Sequence, residues 1–171
     1  MIGPRNALGI ALRVCALGAT SACSLVLDFD TATDAAPPDS PATEAQCGFG
    51  EPNDSTAMPT DWNAIAAPVD AAICGGGDLD NYLVTITDGQ TLTATITFMN
   101  RNGSGDLDLR LLSASGGTVL DESRGAVDTE DVRCPGGLFC PTLAAGDYLI
   151  EVRGFADPVI SPYALTITRT P

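Results

Sequence analysis

Residues Thr91 to Phe98 read TLTATITF, and no other feature limits the fold of this chain as much. In an extended backbone successive side chains point to opposite faces, so Leu92, Ala94, Ile96 and Phe98 share one face and Thr91, Thr93, Thr95 and Thr97 the other. The alternation recurs along the chain. Tyr82, Val84 and Ile86 alternate with Leu83, Thr85 and Thr87; Leu107, Leu109 and Leu111 alternate with Asp106, Asp108 and Arg110. Tyr148, Ile150 and Val152 alternate with Asp147, Leu149, Glu151 and Arg153, and Tyr163, Leu165 and Ile167 close the series. Strands with one apolar and one polar face, separated by glycine-rich turns such as Asn102 to Gly105, predict an all-β fold: an antiparallel β-sandwich. The pair Asp88-Gly89 predicts a hairpin between the strands that flank it. No window from Cys47 onward carries a sustained helical period, and no internal repeat is present.

The chain of 171 residues suits one domain with a real core. Its first residues read differently from the rest. Arg5 and Arg13 are the only charges before Asp28, and Val14 to Ala22 is a short run of apolar and small residues. This is the shape of a signal peptide over residues 1–22, too short and weak to span a bilayer. The stretch TSAC, Thr20 to Cys23, resembles a bacterial lipoprotein signal, in which small residues precede a cysteine that is acylated and becomes the new N-terminus. Thr20 stands where that pattern has leucine. Two readings follow: lipidation at Cys23 with anchorage to a membrane, or ordinary cleavage near Ala22 and release. Residues 23–46, rich in Ala, Thr, Asp and Pro, read as an extended tether. The folded domain is expected over 47–171, exported to the cell envelope or outer surface, or secreted.

With Cys15 in the signal and Cys23 the lipid candidate, Cys47, Cys74, Cys134 and Cys140 remain. Export makes disulfides the default, and proximity in sequence favours Cys47 with Cys74 and Cys134 with Cys140. The rival is a four-cysteine zinc site, for which five residues between Cys134 and Cys140 are too many.

All eight basic residues are Arg, against 22 acids and a formal charge of −14. That sign excludes nucleic acid as a partner and disfavours anionic lipid surfaces. A monomer is expected. The absence of His and Lys removes the usual bases that activate serine or cysteine nucleophiles. A carboxylate pair is the surviving catalytic option: Asp106 and Asp108 share a strand face at roughly 7 Å, in the range of an inverting glycosidase. The plainer reading makes them solvated acids beside Arg110.

Glu51 to Ser55, EPNDS, place Glu51, Asn53 and Asp54 within four residues, with Asp78 and Asp80 in a second cluster after the CGGG glycines. These are hard oxygen donors of the type calcium takes six to eight of, and Pro52 stiffens the segment. The alternative is an Asx-type turn with solvated acids.

From Cys47 to Pro171 the order EPNDS, GDLDNY, GQTLTATITF, GDLDLRLL, AAGDYLIEVRG and YALTI resembles the bacterial pre-peptidase C-terminal domain, a family related to the collagen-binding domains of bacterial collagenases. The resemblance implies a jelly-roll-like sandwich, non-catalytic, usually appended to a secreted peptidase and in some members a binding module. No peptidase stands upstream in this sequence. The resemblance also implies calcium held by Glu51, Asn53, Asp54 and Asp80, with Asp78 beside them. The function expected is a calcium-stabilised surface binding or accessory module for an extracellular protein or polysaccharide. The alternative is an accessory domain of a secreted hydrolase system or a weak glycosidase.

Overall fold

A computed structural model describes residues 41–171 except Asp157; the expected signal, Cys23 and most of the expected tether lie outside the described residues. Where the sequence alternates, strands form. In chain order the elements are helix α1 (Glu44–Cys47), β1 (Thr60–Asp61), β2 (Val69–Cys74), β3 (Leu79–Ile86), β4 (Thr91–Phe98), β5 (Leu107–Ser113), β6 (Val119–Ser123), β7 (Thr129–Cys134), β8 (Gly146–Gly154) and β9 (Ile160–Thr170). They build a sandwich of two sheets, one ordered β1-β3-β8-β5-β6 and the other β2-β9-β4-β7. All the pairings are antiparallel except β1 with β3. The alternating apolar residues meet between the layers. Tyr82, Val84, Ile86, Leu107, Leu109, Leu111, Ile150 and Val152 from one sheet pack with Leu92, Ala94, Ile96, Val132 and Leu165 from the other, all buried.

The expected hairpin at Asp88-Gly89 is not one. β3 belongs to the first sheet and β4 to the second, so the turn carries the chain across the core. A two-residue I′ hairpin needs positive φ at both central residues. Only Gly89 has it, at φ 80°. The turn is instead closed by the Gln90 amide N–H donating to Thr87 O and the Thr87 amide N–H donating to Gln90 Oε1. The arch sets the inward residues of β3 against those of β4.

Two disulfides join Cys47 to Cys74 and Cys134 to Cys140, with Cα separations of 5.7 and 5.4 Å. The first ties α1 to the end of β2. Ahead of Cys47 the chain is already helical, because Thr43 and Gln46 cap each other's backbone reciprocally.

Part of the outer face of the five-stranded sheet is covered by the chain itself. Residues 51–59 cross it as a strap. Near its start Asn53 O accepts hydrogen bonds from Asn81 of β3, and at its far point Thr56 packs on Gly116 in the β5–β6 turn. It then returns to enter β1 beside β3. A Cβ on Gly116, which has φ +70°, would lie 2.5 Å from Thr56 Cγ2, so this contact requires glycine. Outward-facing Leu149 and Leu112 are consequently buried. Trp62, just after β1, is buried edge-on against Tyr82, with ring centroids 5.9 Å apart.

One polar chain crosses the core. Tyr163 Oη of β9 donates to Asp80 Oδ2 of β3 at 2.5 Å and lies 2.7 Å from Tyr82 Oη. Because the Tyr163 proton points at Asp80, Tyr82 donates to Tyr163, and the three groups link the two sheets. Tyr163→Phe leaves two buried polar groups without this partner. Urea denaturation should show a loss of about 1–3 kcal/mol, and much less for Tyr148→Phe, whose hydroxyl bonds only Ala144 O at the exposed rim. On β4, Ile96→Ala should cost about 2–5 kcal/mol by the same measurement, while outward Thr93→Ala stays within about 0.5 kcal/mol.

Candidate metal centre

The start of the strap, the β2–β3 turn and the first residues of β3 converge at one corner of the sandwich, held by the Cys47–Cys74 bridge. One carboxylate oxygen from each of Glu51, Asp54 and Asp78 lies within 4.8 Å of the others. Calcium binds oxygens at about 2.3–2.6 Å, so ligands on opposite sides of it stand about 5 Å apart. The three acids therefore fit around one such ion.

Each acid is positioned by the backbone. Glu51 Oε2 accepts from the Asn53 amide at 2.9 Å, Asp54 Oδ1 from the Leu79 amide at 3.2 Å, and Asp78 Oδ2 from the Cys74 amide in a short bond. Every carboxylate keeps an oxygen outside these turns. For Asp78 the second oxygen, Oδ1, is buried and accepts no hydrogen bond from the described residues. Burial raises the Asp78 carboxyl above its usual range; the Cys74 amide opposes this, and crowding by Glu51 and Asp54 adds to it.

Asn53 is 0% exposed. Its Nδ2 donates to Thr60 Oγ1 at 3.3 Å, and that hydroxyl donates in turn to Gly50 O at 2.9 Å. Gly50, at φ +78°, has no room for a side chain, since its Cβ would sit 2.4 Å from Thr60 Oγ1. Asn53 Oδ1, however, accepts nothing from the described residues. Neither does Oδ1 of the equally buried Asn81, whose Nδ2 is spent on Asn53 O at 2.9 Å. Three buried acceptor oxygens without donors are costly; one belongs to Asp78 itself, and the other two sit on Asn53, in the same segment as Glu51 and Asp54, and on Asn81 of β3. The donor set is all oxygen, which suits a hard cation.

Asp80 is 1% exposed and lies inward of the three acids, at the head of the tyrosine chain. Burial pushes its carboxyl up to about 7; the hydrogen bond from Tyr163 opposes this and the charge of Asp78 adds to it. The fold thus disfavours ionised Asp80, and a cation at this corner would favour it. Of the sequence candidates, Glu51, Asp54 and Asp78 come together directly, with Asn53 and Asp80 alongside. Asn81 was not among the candidates. Its signal is present in GDLDNY, where an asparagine, a poor strand former, follows an acid within a strand.

Asp106 and Asp108 part company. Asp108 of β5 lies on the outer face 3.9 Å from Arg153, while Asp106, just before β5, accepts from Asn100 Nδ2 at 3.0 Å. Arg110, expected beside both, pairs instead with Glu151 at 3.3 Å and Glu122 at 3.7 Å.

No protein-family model matches the sequence, and no curated protein does. Among solved structures the chain is similar to the pre-peptidase C-terminal domain of collagenase from Bacillus anthracis. The identity is 13%, the match covers 61% of this chain and 90% of that one, and the TM-score is 0.47. It is also similar to PliG of Aeromonas hydrophila, a periplasmic inhibitor of g-type lysozyme, with 20% identity, 61% and 85% of the two chains covered, and a TM-score of 0.44. The first of these is a domain of the family that the sequence motifs resemble.

Proposed function

We propose that this chain is an exported, lipid-anchored, non-catalytic β-sandwich that calcium stabilises and that serves as a surface binding or accessory module for an extracellular protein. The observation that carries the reading is the corner at Glu51, Asp54 and Asp78, where three carboxylates gather, one of them with a buried oxygen that lacks a donor, and where Asn53 and Asn81 each have a buried oxygen that lacks one too. Calcium there is held by Glu51, Asp54 and Asp78, with Asn53 Oδ1, Asn81 Oδ1 and Asp80 as the further oxygens within the same corner. The ion supplies charge compensation to the acids and a partner to the orphaned carbonyls; no chemistry is asked of it. Two disulfides suit an oxidising compartment, which supports export. The lack of any His or Lys supports a role in binding rather than turnover.

A ligand that binds only the folded state stabilises it by RT ln(1 + [L]/Kd), so calcium at about a hundredfold above Kd adds about 2.7 kcal/mol. Thermal melts of the full chain should therefore rise in millimolar calcium relative to chelator. Asp54→Asn and Asp78→Asn, which remove the charge and keep an oxygen for the Leu79 and Cys74 amides, should remove most of that rise while leaving the chelator melt nearly unchanged. Superimposable wild-type melts in the two buffers would reduce the corner to a polar turn.

The partner reading is checked on a surface bearing immobilised extracellular fibre proteins, with polysaccharides as the comparison arm. The chain should retain at least one fibre protein in calcium, lose most of that retention in chelator, and hydrolyse nothing on the surface. Turnover of a glycoside that disappears on Asp108→Asn would overturn the non-catalytic assignment.

A further inference from the structure

A second constellation lies at the end of the sandwich opposite the metal corner. β9 begins at Ile160, paired with Cys74, and ends beside β4, where Arg169 pairs with Leu92 and Leu92 with Cys134. At about 3.3 Å per residue, this sets the Cys134–Cys140 loop roughly 30 Å from the Cys47–Cys74 bridge. The backbone of that loop is pinned to the sheet. The Leu138 amide N–H donates to Asp121 Oδ1 at 2.7 Å, the Phe139 amide to Leu120 O at 3.0 Å and the Gly136 amide to Cys140 O at 3.0 Å, while the disulfide closes the base. Gly137 has no room for a side chain, since its Cβ would lie 2.4 Å from Asp121 Cγ. Buried Asp121, which also accepts from the Arg133 amide at 2.8 Å, is the pedestal.

On this pinned loop two adjacent large apolar side chains point outward: Leu138 is 69% and Phe139 61% exposed. A charge stands beside them. The exposed Arg133 side chain runs along Gly136, whose Cβ would lie 3.9 Å from Arg133 Cδ, and its guanidinium makes no ion pair or hydrogen bond among the described residues. Arg110, Arg124 and Arg153 are paired with acids, Arg169 bonds Asn63, and Arg101 lies in the β4–β5 connection at the other end. The acids near the loop do not neutralise Arg133. Asp121 is engaged by two backbone amides, Glu122 by Arg110 and Arg124, and Asp131, two residues back on the same face of β7, makes no ion pair with it. A rigid convex tip of Leu and Phe with an unpaired guanidinium at its base complements a cleft with an apolar floor and a carboxylate at its mouth. Aromatic residues and arginine concentrate binding energy at protein interfaces, and a loop fixed before contact loses little further freedom on binding. An anionic lipid surface fits less well, because the formal charge of −14 opposes the approach.

We propose that the Cys134–Cys140 loop, with Leu138, Phe139 and Arg133, is the docking surface for a partner protein that offers an apolar cleft with a carboxylate at its mouth. The inference rests on the reading of the chain as a module that binds an extracellular protein, and it names the surface and the chemistry of the contact. Carboxymethyl-β-cyclodextrin, an apolar cup with carboxylates on its rim, serves as a defined probe. Titrated into the full chain in calcium, it should shift the backbone amide resonances of Leu138 and Phe139 and bind about threefold more tightly than the neutral cup. Arg133→Gln should remove that preference, and Phe139→Ala should weaken both cups. Both variants alter only exposed side chains and should melt as the wild type does. On the fibre-protein surface each should lose about tenfold or more in retention. No shift at Leu138 and Phe139, equal affinity for the two cups, or shifts undiminished by Phe139→Ala would overturn the proposal. So would uptake of the Cys23→Ala chain by phosphatidylcholine vesicles, or its self-association in sedimentation, if Phe139→Ala removes it, since the loop then serves lipid or a second copy. Fibre-protein retention that both variants keep would sink the loop and leave the binding module standing. The expected shifts without retention of any fibre protein would do the reverse.

Discussion

The buried hydrogen-bond chain from Tyr82 through Tyr163 to Asp80 is the contact on which the corner and the core both depend. It places a carboxylate in the interior, where its charge is disfavoured, and directs a phenolic proton from the opposite sheet at it. Burial raises both phenols, so neither competes with Asp80 for the negative charge. Because Tyr163 belongs to β9 and Asp80 to β3, the packing distance between the layers is written into the position of an acid that borders Glu51 and Asp78. The metal corner is thus an outward extension of the core.

Much of the fold was legible because β3, β4, β5, β8 and β9 alternate cleanly. β6 and β7 escaped for a shared reason. In each an inward position is taken by an acid: Asp121 accepts from the Arg133 and Leu138 amides, and Glu130 accepts from the Gly125 amide and Ser123 Oγ. Backbone donors make these carboxylates tolerable inside, and the hydrophobic pattern does not record them. β2 hides differently, since Ala71, Ala72 and Ile73 are all buried in succession and no alternation survives. Which sheet a strand joins was also beyond reach, as the arch at Asp88-Gly89 demonstrates. At the corner the acids announced themselves, but Asn81 matters through an oxygen whose isolation exists only after β3 and the strap meet.

The outer face of the five-stranded sheet shows a division of labour set by the strap. Where the strap lies, Leu149 and Leu112 serve as a second small apolar layer. Beyond it the face turns ionic, with Arg110 between Glu151 and Glu122 and Arg153 beside Asp108. Partly exposed pairs of this type contribute little stability individually. Their effect is to occupy both arginines with acids of the same face.

The Cys47–Cys74 bridge has a mechanical meaning. Its loop spans a sequence separation of 27 and contains the whole strap, including Glu51, Asn53 and Asp54. Through sulfur Cys47 is joined to the end of β2, which is paired along its length with β9. A displacement of the chain before Cys47 therefore meets a covalent tie to a six-residue ladder in the opposite sheet before it reaches Glu51 to Asp54.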